Sequence, residues 1–215
     1  MFRISLIAAA ICMASQSPAV VVGGALTGGG ALTNGGSFIE LTGSSLSGIS
    51  VGNDNFNDFN VYAFNEDQNI TIPSPISVNV GTSPTTGQIV ASHYVLFDPL
   101  NTTSAVGYVL FDAEIYGIAT STTNLNNSDF LINNSVTYEN PSLRGLEGGD
   151  SVTINASNPF RLDFDFTASS PGDYVRVFTM ESPMAAVPIP AGGLLLLGAL
   201  GAGAATLRRR RNPAG

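Results

Sequence analysis

Short runs in which apolar and polar residues alternate, separated by turn residues, most constrain what this chain can fold into. The clearest is Arg161 to Phe166, where Leu, Phe and Phe alternate with Arg, Asp and Asp. This period of two is typical of a β-strand with one face in a core and the other in water. Ser151 to Ile154 has the same pattern. No long amphipathic helical pattern occurs in this part of the chain, so the sequence predicts an all-β domain.

The domain is predicted to span 37–181 as an antiparallel β-sandwich, jelly-roll-like in its connections. Residues 20–36 carry seven glycines among seventeen residues, a composition that predicts a flexible leader. A linker is expected at 182–186. Length allows one such domain with a real core.

An internal repeat suggests how two strands are placed. The sequence Tyr-Val-Leu-Phe-Asp occurs at Tyr94–Asp98 and again at Tyr108–Asp112. A hairpin folding near 101–104 would pair the two copies as antiparallel neighbours at the centre of a sheet.

Two local signals predict other features of the body. Pro171-Gly172 suits the centre of a type II turn, because proline presets φ and glycine accepts a positive φ. A short helix is expected near 124–132, with Ser128 and Asp129 as cap candidates.

The N-terminus has the pattern of a secretory signal peptide. Arg3 is the charged n-region, Ile4 to Ala14 is the apolar h-region, and Ser17-Pro18-Ala19 is a small-residue cleavage site. Cleavage is predicted after Ala19, giving a signal peptide of residues 1–19, with a cut after Ala14 as the alternative. Cys12 is the only cysteine, so the exported chain would lack disulfides and thiolate metal sites.

The C-terminus ends in an apolar stretch and four arginines. Ile189 to Leu207 as a helix would reach about 28 Å, which just spans a bilayer. We place the membrane helix at 190–207. Its five glycines make it a weak anchor. A basic stop keeps residues 212–215 cytoplasmic and the body outside by the positive-inside rule. The stop consists of Arg208, Arg209, Arg210 and Arg211.

A proline-flanked motif precedes this helix. It consists of Val187, Pro188, Ile189, Pro190 and Ala191. Together, the motif, helix and basic stop over 187–211 resemble the VPLPA-CTERM variant of the PEP-CTERM sorting signal, with Ile189 in place of the usual Leu. The resemblance implies an exported protein held in the inner membrane with its body in the periplasm. An exosortase would then recognise the motif and process the tail, leaving a cell-surface or extracellular-matrix protein.

The net charge of the body limits the classes of partner that it can bind. Between the two terminal signals, three arginines stand against sixteen acidic residues, a net charge of −13, and the chain has no lysine. Such a surface repels nucleic acid, so we predict no DNA or RNA partner. The expected partners are the secretion machinery, the exosortase and the membrane, and exopolysaccharide is considered as a further one.

Catalytic groups are sparse. His93 is the only histidine and lies inside a strand-like run, so a half-buried strand residue is the simpler interpretation than a catalytic base or metal ligand. No G-x-S-x-G motif is present. We predict a noncatalytic protein with no catalytic residues and no bound cofactor.

Carboxylates keep two alternatives open. A pair of them could hydrolyse or cleave a glycan, and the candidates are Asp98, Asp112, Glu114, Asp163 and Asp165. Oxygen-rich loops could instead bind calcium in a glycan-binding module, although their spacing does not match an EF-hand and a polar surface loop is the simpler interpretation. The calcium candidates are Asp54, Asp58, Glu66 and Asp67.

Overall fold

The computed structural model describes residues 19–181. The strands are β1 (Val21–Gly28), β2 (Phe38–Leu41), β3 (Ser50–Val51), β4 (Val61–Asn65), β5 (Ile70–Thr71), β6 (Val80–Gly81), β7 (Ile89–Phe97), β8 (Thr103–Phe111), β9 (Ile115–Ala119), β10 (Thr137–Tyr138), β11 (Ser151–Ile154), β12 (Arg161–Ala168) and β13 (Asp173–Met180). The helices are α1 (Gly29–Thr33) and α2 (Thr122–Asn127), with 3₁₀ turns at Gly43–Leu46, Asp129–Leu131 and Pro141–Leu143. The all-β prediction is confirmed.

Two sheets share one hydrophobic core. The four-stranded sheet has the order β1-β8-β12-β11 and is antiparallel throughout. The seven-stranded sheet has the order β2-β4-β7-β13-β9-β6, with β5 also paired to β7. Core residues come from both sheets, for example Val95 and Val177 from one and Val109 and Phe164 from the other. Burial of these apolar faces between the sheets is the main stabilising term.

The alternating run on β12 lies as its pattern predicts. Leu162, Phe164 and Phe166 are buried in the shared core, whereas Asp163 and Asp165 lie on the opposite face of the four-stranded sheet. Phe164 and Phe166 stack with ring centroids 4.9 Å apart.

A second hydrophobic core covers the other face of the seven-stranded sheet. Tyr94 and Leu96 of β7 pack there with Leu125 of α2 and Leu131 of the following 3₁₀ turn. This double coverage explains why β7 is buried along almost its whole length. The small parallel pair β3 and β10 contributes Val51 and Tyr138 to the same layer.

The prediction of a flexible leader over 20–36 is wrong. These residues form β1 and α1, and β1 pairs with β8 along most of its length. The glycines permit close packing, since a Cβ on Gly24 would lie 2.7 Å from the ring of Phe38. The folded body therefore begins before Ser37.

The predicted hairpin between the repeat copies is also wrong. The first copy lies on β7 of the seven-stranded sheet and the second on β8 of the four-stranded sheet. The connection crosses between sheets, so the two copies face each other across the shared core through Val95 and Val109.

Two local predictions need correction in detail. A short helix does form near 124–132, but Ser121 caps α2 by accepting a hydrogen bond from the Asn124 N–H, and Ser128 follows the helix end.

The Ser170–Pro171 peptide is cis, and the Gly172 N–H donates to the Ser169 carbonyl at 2.6 Å. The turn is thus centred one residue earlier than a type II turn on Pro171-Gly172, although Gly172 has the expected positive φ of 87°.

Candidate functional site

His93 is a fully buried, neutral core residue rather than a half-buried one. Its ring packs 4.8 Å from that of Phe111, its Nδ1 lies 2.8 Å from the Asn65 amide oxygen and its Nε2 lies 3.0 Å from the Thr179 hydroxyl. Burial lowers the pKa of His93 to about 3. With both ring nitrogens committed inside the fold, the imidazole is not placed to act as a base.

The solitary histidine gives a direct test. We expect its imidazole NMR signals to show no titration between pH 5 and pH 8, because the charged form is excluded from the core. The signals need no residue assignment, since the chain has one histidine. A midpoint near the ordinary value of about 6.5 would contradict the buried position.

Glu66 belongs to a buried charge network that was not predicted from the sequence. Its carboxylate pairs with Arg176 through Nε at 2.6 Å and Nη2 at 2.9 Å, and also accepts from Tyr138 and Ser92. Glu66 and Arg176 are both buried, and the Arg176 guanidinium lies over the rings of Tyr94 and Tyr138. Burial acts to lower the pKa of Arg176, but the Glu66 carboxylate outweighs it and the pKa is raised.

Arg144 extends this network. Its guanidinium contacts Asp129 at 2.6 Å and 3.0 Å and the Asn126 oxygen at 2.6 Å. Asp129 also meets Arg176 at 3.1 Å. Arg176 of β13 therefore ties α2 and its 3₁₀ turn to the seven-stranded sheet, and Arg144 ties them to the loop after Pro141–Leu143.

The four calcium candidates do not form one site. Glu66 is paired with Arg176, Asp58 accepts hydrogen bonds from the Tyr62 hydroxyl and the Asn60 N–H, and Asp67 joins the sheet through its backbone. Asp54 influences Asp98 electrostatically and lies in a different loop from Asp67. Within residues 19–181, no group of three or more His, Cys, Asp or Glu side chains is arranged to hold a metal ion.

Three of the carboxylates considered for catalysis do not lie on β12, the strand that carries Asp163 and Asp165. Asp98 is fully buried and accepts from the Asn55 and Phe56 N–H groups, and burial raises its pKa. Asp112 binds the Val20 N–H at 2.7 Å, next to the predicted cleavage residue Ala19, which is buried against Ala91 and Ala113. Glu114 is exposed on the turn after β8.

Asp173 is a buried carboxyl that the sequence did not single out. It is 2% exposed at the start of β13, and its Oδ2 has no hydrogen-bond partner among the described residues. Burial raises its pKa to about 8, and the charges of Asp150 and Glu147 add to the shift.

This raised pKa makes stability depend on pH. In the unfolded chain the pKa of this carboxyl is about 3.9. Between pH 4 and pH 8 the folded state therefore binds the proton more tightly than the unfolded state does. The resulting stability is complete below about pH 4 and is lost as pH rises to about 8. As pH rises from 4 to 8, we expect the unfolding free energy of the wild type to fall relative to that of Asp173→Asn, by at most about 1.4 kcal/mol per pH unit. Urea unfolding at several pH values measures the difference, and a constant difference would contradict the prediction.

Asp163 and Asp165 are brought together on the outer face of the four-stranded sheet, where they line an open groove of about 330 Å³. We call it the outer groove, and its polar lining consists of Thr27, Ser151, Thr153, Arg161, Asp163 and Asp165. The strand register builds it: Tyr108 of β8 lies beside Asp163 of β12, and Asp163 lies beside Thr153 of β11.

Arg161 is the fixed element of the outer groove. Its guanidinium carbon lies 4.1 Å from the centroid of the Tyr108 ring, and its Nε and Nη2 each lie 2.6 Å from Asp163 Oδ1. Asn155 donates to the other oxygen of Asp163 at 2.7 Å. The side chains of Arg161 and Asp163 remain 34% and 30% exposed. The arrangement presents a flat cation, stacked on an aromatic ring, beside hydroxyls and carboxylates.

Comparison with models of protein families, with curated proteins and with solved structures found no match to this chain. Residues 1–18 of the predicted signal peptide, which spans 1–19, and the whole predicted sorting tail over 187–211 lie outside the described residues. Among the helices of residues 19–181, none has the length and apolar character needed to cross a bilayer.

Proposed function

We propose that this chain is an exported, noncatalytic protein of the cell surface or extracellular matrix, processed through its C-terminal tail by an exosortase. The single observation that carries the proposal is the order of motif, apolar run and four arginines over 187–211. The apolar run would act as a weak membrane anchor, and the four arginines would stay on the cytoplasmic side and leave the acidic body outside. The signal peptide at the other end supports the same topology.

The body that this tail would deliver is proposed to be a β-sandwich. Two sheets with a common core support this, and the pairing of strands distant in sequence, such as β8 with β12 and β7 with β13, is typical of the jelly-roll-like connection we propose. The outer groove is the surface on which exopolysaccharide would be met.

The sorting proposal is tested by replacing Pro188 and Pro190 with alanine and following the protein by cell fractionation. We expect the wild type in the surface or matrix fraction and the variant retained in the inner membrane, because the exosortase motif is lost while the apolar run and arginines are kept. A matched control replaces Pro213, beyond the arginine stop, and should leave release unchanged. Equal release of the motif variant would contradict the proposal.

A secreted glycan hydrolase or lyase is the second candidate, and one observation favours it: Asp163 and Asp165 share the outer groove. Against it, Asp163 is bound on both oxygens by Arg161 and Asn155. Release of reducing ends from a glycan panel, lost on Asp165→Asn, would establish the enzyme and remove the noncatalytic proposal. Binding that disappears with chelator would instead support a calcium-dependent module.

A further inference from the structure

The outer groove contains hydrogen-bonding groups that the fold does not use. Asp165 is exposed, and among the described residues its carboxylate accepts no hydrogen bond. The register places Ser151 beside Asp165 and Thr153 beside Asp163, so two exposed hydroxyls from β11 stand next to the two carboxylates. Closely spaced donors and acceptors on a rigid sheet suit a ligand that carries several hydroxyl groups.

Arg161 supplies a fixed donor at the centre of these groups. Its contacts with Tyr108 and Asp163 hold the guanidinium in place before any ligand arrives. Less conformational entropy is therefore lost on binding than with a free arginine side chain. A guanidinium carries five N–H donors, so those that do not contact Asp163 can donate to the hydroxyl groups of a sugar.

Charge decides which hydroxyl-rich ligand fits. The body carries three arginines against sixteen acidic residues, and in the groove Arg161 is outnumbered by Asp163 and Asp165. An anionic polysaccharide would meet repulsion both at long range and at the site. A chain of neutral sugars meets none, and its hydroxyls can donate to Asp165.

The position of the groove argues against an extended peptide as the ligand. A peptide that adds to a sheet needs a free strand edge for its backbone hydrogen bonds. The outer groove lies instead on the face of the four-stranded sheet, over its two central strands β8 and β12, which are paired with neighbours on both sides. Only their side chains are offered to a ligand.

We infer that the outer groove binds a short segment of uncharged polysaccharide, with Arg161 and Asp165 as the principal contacts. The inference rests on the proposed function, since a surface or matrix protein would meet such polymers. The groove volume of about 330 Å³ lies near the lower end of small-molecule sites, which restricts the bound segment to a few sugar units at most.

The test is affinity electrophoresis of the mature protein in gels that contain a neutral glucan, a neutral mannan or anionic alginate. We expect retardation by at least one neutral polymer and none by alginate. Asp165→Asn and Arg161→Gln should each weaken retardation about tenfold, the effect of losing one charged hydrogen bond. Glu114→Gln, an exposed carboxylate away from the groove, is the matched control and should bind as the wild type does.

Thermal unfolding of each variant keeps the test interpretable. Within residues 19–181 the Asp165 side chain has no hydrogen-bond partner to lose, so Asp165→Asn should unfold at the wild-type temperature even if Arg161→Gln does not. Retardation by alginate alone, equal retardation of Asp165→Asn and the wild type, or no retardation by either neutral polymer would each overturn the inference. The sorting proposal would survive any of these results, because the same variants can be followed to the surface fraction independently.

Discussion

Replacing Glu66 with alanine is expected to destabilise the protein by about 3–5 kcal/mol, the cost of breaking a buried ion pair by removing one partner. Arg176 is fully buried and loses both of its contacts with Glu66. The Tyr138 and Ser92 hydroxyls lose their acceptor as well. For a domain of this size the melting temperature should fall by about 10 °C.

The control for this change is Glu114→Ala, which removes an exposed carboxylate and should change stability by less than about 0.5 kcal/mol. A second variant separates charge from volume. Glu66→Gln keeps the side-chain shape and should still lose stability, because the amide cannot balance the Arg176 charge. Urea unfolding measures all three, and a loss in Glu66→Ala no larger than that in the control would show that the buried pair is not formed.

Replacing Gly107 with alanine is expected to destabilise the protein by about 3 kcal/mol through overpacking. A Cβ at this position would lie 2.2 Å from the Ala25 carbonyl oxygen of β1 and 2.7 Å from the Phe164 ring of β12. Gly107 thus allows β1 and β12 to close on either side of β8. Relief of the clash would require separation of the strands or displacement of Phe164 from the shared core.

Gly148→Ala is the matched control, because a Cβ there would meet no atom within 4 Å. We expect its unfolding free energy to stay within about 0.5 kcal/mol of the wild type. Equal destabilisation of both variants would indicate a general glycine effect and contradict the close packing around Gly107.

The repeat shows how far sequence could predict this fold and where it failed. Each copy sends Val and Phe into the shared core and Tyr to the other face of its sheet, as a period of two requires. Whether two strands pair within a sheet or face each other across a core is set by contacts between distant segments. β8 pairs with β12 and β7 with β13, and neither partnership has a local signal.

The structure of the glycine-rich segment and the composition of the outer groove could not be predicted fully from the sequence, for related reasons. A glycine-rich composition predicts flexibility, yet Gly24 lies in β1. Glycine is needed there because a side chain would clash with Phe38. The alternation on β12 predicted that Asp163 and Asp165 share an exposed face, and they do. Their neighbours Tyr108 and Thr153 could not be predicted, because the register across β8, β12 and β11 brings them together.

The most direct test of the central claim is the intact mass of the mature protein recovered from the native cell surface and extracellular matrix. The account predicts a mass that lacks both the signal peptide, residues 1–19, and the apolar tail with its four arginines. A mass that retains residues 192–211 would mean a permanent membrane anchor and would contradict processing by an exosortase.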